Sequence, residues 1–301
     1  MAAEHSVSII GLGAMGSALA QKFVENGWRT TVWNRSSIKV RPLAAKGAVA
    51  ASSVAECVGA SPLVIICLLN PTAVHDVLEN INPTSCAGRV LIDYTSGTRT
   101  QTKQSQELAM YLSFSAYLRG AILATPAHIG LPESSIYYAG GKEAFLFIKD
   151  GFKILGRSSY LGDDPGLASL QGCIMMDAFF GIAAGFLQSV AVIKSSKRDV
   201  AGGAERFLSE ELIPLLSQSY PKVLRDFARQ IDNGKYLRED GEGMPLSLLI
   251  QTLQNMMRTH SELGLSSAML NPILDLMQDR VAQGGEAEEM SSLIKTISGH
   301  T

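Results

Sequence analysis

The chain is predicted to be α/β followed by α: a doubly wound parallel sheet at the amino terminus, one long helix, then a helical carboxyl-terminal part. Three observations carry this. Apolar strand-like runs alternate with helical periodicity from Val7 to about Leu161. The first run ends in Gly11-Leu12-Gly13-Ala14-Met15-Gly16, and beyond Pro165 only helical periodicity remains. At 301 residues the chain is long for a single core. The expected division is residues 1–163 for a nucleotide-binding domain, 164–196 for the connecting helix and 197–301 for the helical domain.

Val7-Ser8-Ile9-Ile10 is the first strand, and Ala18, Leu19, Ala20, Phe23 and Val24 recur at helical spacing after the glycine turn. Thr30-Thr31-Val32-Trp33 is the second strand. Pro62 to Leu69 is a near-continuous apolar run, as expected of a parallel strand buried on both faces. Arg89 to Asp93 and Arg119 to Pro126 are further strands, with a helix around Thr100 to Leu112 between them. Ser135 to Gly141, a helix near Glu143 to Leu155 and a short strand at Ser159-Tyr160-Leu161 complete the first domain. Breaks among the later helices are expected at Ala201-Gly202-Gly203, Asn233-Gly234, Glu239 to Gly243 and Gln283-Gly284-Gly285.

Composition narrows the function. An apolar fraction of 46% with 18% charged residues is that of a packed globular protein, and the net charge of −2 gives no electrostatic footprint for nucleic acid or an anionic membrane surface. A small-molecule partner is therefore expected. Cys57, Cys67, Cys86 and Cys173 show no metal-ligand or paired spacing, so free, buried thiols in a reducing compartment are expected, and no metal. Met1 to Ser6 lacks a basic leader, and a cytoplasmic location is the expectation. Cys173 to Ile193 is as long as a membrane span, but it carries Asp177 and Gln188 and has no basic flank before it. A helix buried between protein layers is expected instead.

The GxGxxG spacing has a mechanical reason. Gly11 permits a tight turn, Gly13 lets the backbone approach a pyrophosphate and Gly16 allows close helix-to-strand packing, while Leu12, Ala14 and Met15 offer backbone N–H groups. After the second strand, where an acid would hold a ribose 2′-hydroxyl, stand Asn34, Arg35, Ser36 and Lys39. An acid there would repel a 2′-phosphate and these groups would bind it, so NADPH is the expected cofactor. Leu68, Leu69, Thr95, Ser96 and Thr98 lie at the carboxyl ends of strands, where open α/β sheets bind ligands, and are candidates for the nicotinamide side. Each hydroxyl there is also an ordinary turn residue.

Together these stretches resemble the imine reductase and reductive aminase family, within the larger group of β-hydroxyacid-dehydrogenase-like proteins. The matching residues are Gly11 to Gly16, Val32-Trp33-Asn34-Arg35-Ser36 with Lys39, Cys67-Leu68-Leu69, Ala121 to Pro126, Leu161 to Leu170, and Gln230 to Tyr236. The resemblance implies a Rossmann domain, a long interdomain helix, an intertwined homodimer with active sites built from both chains, NADPH, and hydride delivery to a C=N bond. It places Leu123, Gly172, Met176 and Phe180 at the substrate. The lysine of the hydroxyacid branch corresponds to Leu170, so carbonyl reduction of a hydroxyacid is not expected. The acid or tyrosine usual in imine reductases corresponds to Gly172, and the second tyrosine of reductive aminases to Phe180. The asparagine of some reductive aminases corresponds to Ser96, which retains a hydrogen-bond donor.

On an ideal helix Gly172, Met176 and Phe180 lie within about 80° of one another, so the active-site face is apolar and lacks a proton donor. Asp177 lies roughly 60° beyond Phe180 and is the nearest acid. Three functions follow: reduction of a preformed iminium or readily protonated cyclic imine; ordinary imine reduction or reductive amination with a relocated acid at Asp177, Tyr220, Tyr236 or His260; or a cofactor-binding homologue without catalysis. Ser96 and Asp177 are the catalytic candidates.

Overall fold

The computed structural model describes residues 5–196, 203–237 and 243–299. The chain forms two compact units, Met1–Ala178 and Phe179–Thr301.

The first unit is built on an eight-stranded sheet: β1 (Ser6–Ile10), β2 (Arg29–Trp33), β3 (Val49–Ala50), β4 (Leu63–Ile66), β5 (Val90–Asp93), β6 (Ala116–Leu123), β7 (Ser135–Gly140) and β8 (Arg157–Tyr160). Their order is β3-β2-β1-β4-β5-β6-β7-β8, all parallel except the β6–β7 pair. The order reverses between β1 and β4, so the carboxyl ends of these strands border the crevice where doubly wound sheets bind ligands.

Successive side chains on the central strands go to opposite faces, giving two cores. Ile9, Ile65, Ile92 and Leu118 pack with Leu19 and Phe23 of α1 (Ala14–Glu25) on one face. Ile10, Ile66, Leu91 and Tyr117 pack on the other, with Val58 of α3 (Val54–Gly59), Val74 and Leu78 of α4 (Pro71–Leu78) and Ala109 of α5 (Arg99–Tyr111). The short α2 (Arg41–Ala44) follows β2. Burial on both faces explains why β4 reads as an unbroken apolar run.

The structure adds one strand and departs from expectation at two helices. The two-residue β3 was not legible, because both of its residues are exposed and no periodicity marks it. The helix expected over Glu143 to Leu155 is instead α6 (Lys142–Ile148) followed by a 3₁₀ turn, Gly151–Leu155. The chain turns where Gly151 lies against the Trp28 indole, so close that a Cβ there would stand 2.7 Å from the ring. The helix expected to be buried between protein layers, and too apolar for a monomer's surface, is α7 (Gly166–Ser195); within the single chain it is fully buried only at Gly166 and Ala168 and half-buried at later positions such as Ala183, Phe186 and Val190. Ile174, Phe179, Phe180, Ile182 and Leu187 are all more than half exposed, and the helix is long and apolar enough to cross a membrane.

The second unit holds the rest of α7, then α8 (Gly203–Arg206) and two π-helical stretches, Phe207–Leu212 and Leu215–Ser219. These run into α9 (Tyr220–Asn233), which ends with Gly234 in the left-handed region at φ +64°. Next come α10 (Leu246–Glu262), α11 (Asn271–Ala282) and α12 (Leu293–Ser298), whose core is Leu246, Leu253, Met277 and Leu293. Of the expected breaks, Ala201-Gly202 and Glu239 to Glu242 lie outside the described residues.

A charged clasp closes this unit. Arg280 donates from Nε and Nη2 to both Glu288 oxygens at 2.7 and 2.9 Å, and Lys295 reaches the same carboxylate at 3.1 Å. The Arg280 hydrogen bond, partly opposed by burial, holds the Glu288 carboxyl down at about 2. A carboxylate depressed in the folded state stabilises at pH values above its unfolded pKa and loses that contribution as pH falls towards the folded one. Glu288→Gln is therefore expected to cost roughly 3 kcal/mol at pH 7. The difference from wild type should shrink as pH falls from about 4.5 towards 2, read by urea unfolding across that range.

Candidate cofactor and active site

The glycine turn connects β1 to α1. Gly11 has φ +96°, and a Cβ on it would stand 2.4 Å from the Cys67 carbonyl oxygen; one on Gly16 would stand 1.9 Å from the Gly11 carbonyl oxygen. Neither position admits a side chain. Gly13 differs: it caps α1 with no side-chain hydrogen bond, and a Cβ there would meet nothing within 4 Å. Open space therefore stands at a helix N-terminus with free N–H groups and no acid in its first turn, which is what a pyrophosphate requires. The cradle fits a dinucleotide.

Asn34 couples this turn to the loop after β2. Its Oδ1 accepts from the Leu12 N–H at 2.9 Å and its Nδ2 donates to the Ser36 carbonyl oxygen at 3.0 Å. Ser36 precedes a 3₁₀ turn, Ser37–Lys39, and Arg35, Ser36 and Lys39 all project into solvent beside the crevice edge. No acid stands between Asn34 and Arg41. The arrangement suits a 2′-phosphate, and Arg35→Ala with Lys39→Ala is expected to weaken NADPH roughly tenfold per cation removed while leaving NADH within about twofold. Fluorescence titration of both nucleotides checks it.

At the carboxyl ends of β4 and β5 the polar residues are fixed by backbone needs. Thr95 is buried, and its Oγ1 accepts from the Leu68 N–H at 3.2 Å. Thr98 caps α5: its Oγ1 accepts from the Gln101 N–H while its own N–H donates to Gln101 Oε1. Ser96 is exposed between them, and Leu69 is 87% exposed. Leu123 is half-buried at the end of β6.

The start of α7 is tied to this edge. Asp164 accepts from the Gly166 N–H at 2.9 Å and pairs with Arg99 at 2.5 Å, and that arginine hydrogen bond lowers its pKa. Gly172 faces β6, where a Cβ would sit 3.7 Å from the Ala121 methyl, an ordinary contact. Met176 and Asp177 are exposed one turn on, and the Cys173 thiol donates to Asp177 at 3.8 Å. Phe180, exposed, belongs to the second unit. There Tyr236 and His260 are buried: Lys295 Nζ lies 4.4 Å from the Tyr236 ring centre, and His260 Nδ1 is 3.2 Å from the Ser267 hydroxyl. Tyr220 is exposed.

Sequence reasoning missed a buried polar cluster behind the edge. Asp93 and Arg119 are register partners on β5 and β6, and Tyr117 donates to Asp93 Oδ2 at 2.8 Å. Burial and the Asp93 charge push the Tyr117 phenol well above its usual range, which keeps it a donor. The available signal was an arginine two residues after a tyrosine in an otherwise apolar strand. The thiols are also less uniform than expected. Cys57 and Cys86 are buried, Cys67 is half-buried and Cys173 exposed; all four are free, and burial raises Cys57 to about 12 and Cys67 to about 11.

Comparisons with known proteins agree with this geometry. Residues 6–116 match the NAD binding domain of 6-phosphogluconate dehydrogenase, and residues 164–299 match the NADPH-dependent reductive aminase-like C-terminal domain. An NADPH-dependent reductive aminase from Aspergillus oryzae is 36% identical over 295 residues, covering 96% of each chain. The structure of a reductive aminase from Aspergillus terreus in complex with NADPH4, cyclohexanone and allyl amine superposes with a TM-score of 0.89 at 34% identity, over 98% of this chain and 100% of that one. An imine reductase from Bacillus cereus BAG3X2 gives 0.84 at 29% identity, over 98% and 99%. The chain belongs to the reductive aminase and imine reductase family, whose Rossmann sheet, long helix and helical carboxyl-terminal domain it shares.

Proposed function

We propose that the protein reduces a C=N bond to an amine with NADPH, and that its preferred substrate is an iminium or a readily protonated cyclic imine. One observation carries the substrate preference: where α7 passes β6 at Gly172, neither Gly172 nor Met176 one turn on presents a titratable group, although the cofactor cradle is intact.

NADPH, when bound, supplies the hydride. The start of α1 after Gly13 binds its pyrophosphate through backbone N–H groups, the Leu12 N–H being held by Asn34, and Asn34, Arg35, Ser36 and Lys39 bind the adenosine 2′-phosphate. Leu68, Leu69, Thr95 and Thr98 shape the nicotinamide side, with Thr95 holding the β4 loop in place. Leu123, Gly172 and Met176 form an apolar wall that excludes water from the acceptor. An iminium carbon is already electron-deficient, so such a substrate asks no proton of the protein; Ser96 contributes a hydrogen bond at the polar edge.

A second reading has one residue in its favour. Asp177 is an exposed carboxylate one residue past Met176, and as a relocated acid it would serve neutral imines. Asp177→Ala separates the readings: on a neutral cyclic imine the proposal expects an unchanged kcat at every pH, and a relocated acid expects a loss. The assay of the proposal itself is NADPH oxidation with cyclic imines and N-alkyl iminium salts. Turnover of neither class by protein that binds NADPH would refute it in favour of a non-catalytic homologue.

The exposed apolar surface of α7 is assigned to a second copy of the chain. Exposed Ile174, Phe179, Phe180, Ile182 and Leu187 on one helix exceed what a soluble monomer leaves open. Light scattering is expected to give twice the 32.2 kDa of one chain, and Ile182→Glu with Leu187→Glu to shift it to monomer. In the dimer the helix is buried in protein, consistent with a cytoplasmic rather than a membrane location.

A further inference from the structure

Arg119 is 4% exposed and Asp93 3%, in a sheet whose other buried side chains carry no charge. Burying both charges costs several kcal/mol of desolvation per ion, so the pair needs more than a strand contact to offset it. Its connections lead outward in two directions. Arg119 Nη1 donates to the Asp93 carbonyl oxygen at 2.7 Å and lies 3.7 Å from its carboxylate. That carboxylate accepts from the Thr95 N–H at 2.7 Å, and the Thr95 hydroxyl accepts from the Leu68 N–H. This branch ends in the loops assigned to the nicotinamide side. In the other direction Arg119 Nε donates to the Ser169 hydroxyl at 3.3 Å, in the first turn of α7, and Ser169 is 2.7 Å from the Thr102 hydroxyl of α5.

We propose that Arg119 is a positioning residue that, through Ser169, fixes the first turns of α7 against the ends of β4 and β5. It thereby sets where Gly172 and Met176 stand relative to the cofactor loops. This rests on the reading of the site given above. The guanidinium suits the task because its planar fork serves the strand end and the helix at once, which a single ammonium does not. Ser169 is the linking atom: one hydroxyl receives Arg119 and meets Thr102, joining β6, α5 and α7 at a point one turn before Gly172.

Removing Arg119 outright would strand the Asp93 charge and threaten folding, so the test uses Ser169→Ala, which leaves the pair intact and favours the helix intrinsically. Expected are an unchanged NADPH dissociation constant within about twofold and a melting temperature within a few degrees of wild type. Amide hydrogen exchange over residues 166–176 should be at least tenfold faster, and kcat for the imine at least tenfold lower, because small misplacements of reacting groups are costly. Arg119→Lys should reproduce the kcat loss, and Ser169→Thr, which restores the hydroxyl, should rescue both readouts. Wild-type exchange and kcat in Ser169→Ala would overturn the proposal, as would failure of Ser169→Thr to rescue. The exchange and NADPH-binding arms report on the tether even for protein that turns over no imine, so they separate this proposal from the assigned reaction.

Discussion

Gly13→Val is expected to leave the fold untouched and remove NADPH binding. The backbone at Gly13 is at φ −69°, a conformation any residue adopts, and a Cβ there meets nothing within 4 Å, so the apo protein has room for the side chain. The space it fills is where the phosphates must approach the free N–H groups of α1. Loss of that approach removes several charge-assisted hydrogen bonds, and a rise in the dissociation constant of at least about 100-fold follows, equivalent to roughly 2.7 kcal/mol. The melting temperature without nucleotide should stay within about 3 °C of wild type, and the shift that NADPH causes should vanish. Gly16→Ala is the contrasting control. Its Cβ would stand 1.9 Å from the Gly11 carbonyl oxygen, so it should lose stability before binding is even asked. If Gly13→Val bound NADPH as wild type does, the cradle would be misassigned.

Gly172→Asp carries the second large effect. The added Cβ makes only an ordinary 3.7 Å contact with Ala121, so the helix should accept it, and replacing a mid-helix glycine is favourable by about 0.5 kcal/mol or less. A carboxyl group then stands on the face that lacks a proton donor. General acid catalysis contributes about 10²–10⁴ where the acid holds its proton, so kcat/KM for a weakly basic cyclic imine is expected to rise by about 100-fold near pH 5, where an aspartate still carries a share of its proton. For an N-alkyl iminium salt it should not rise. An equal rise for both would mean that the new carboxylate acts as a counter-charge and not as an acid. No rise for either would mean that Gly172 does not face the substrate.

The sheet was legible because its physics is local. Ile65-Ile66 and Leu91-Ile92 are buried on both faces and spell their strands in consecutive apolar letters, and the glycine turn must stand where β1 meets α1. The choice of NADPH was legible too, since the residue types after β2 decide which phosphate is tolerated. What stayed hidden depends on distant partners. At Gly151 the chain turns closely against Trp28, more than a hundred residues away in sequence. The Asp93, Arg119 and Ser169 contacts join β5, β6 and α7, and no spacing rule connects those positions. The apolar surface of α7 illustrates the converse: its pattern read as burial, and the single chain supplies that burial only in part.

The Gly172→Asp effect rests on one premise, that the chain reduces C=N bonds without a protein acid on α7. The most direct test compares the pH dependence of kcat/KM for a neutral cyclic imine with that for its N-methyl iminium salt, using wild-type protein and saturating NADPH. The account predicts a flat profile for the iminium salt from pH 6 to 9. For the neutral imine it predicts a decline that follows the substrate's own protonation, unchanged in Asp177→Asn. A neutral-imine profile that stays flat past the substrate's pKa and collapses in Asp177→Asn would contradict it, and would make Asp177 the acid.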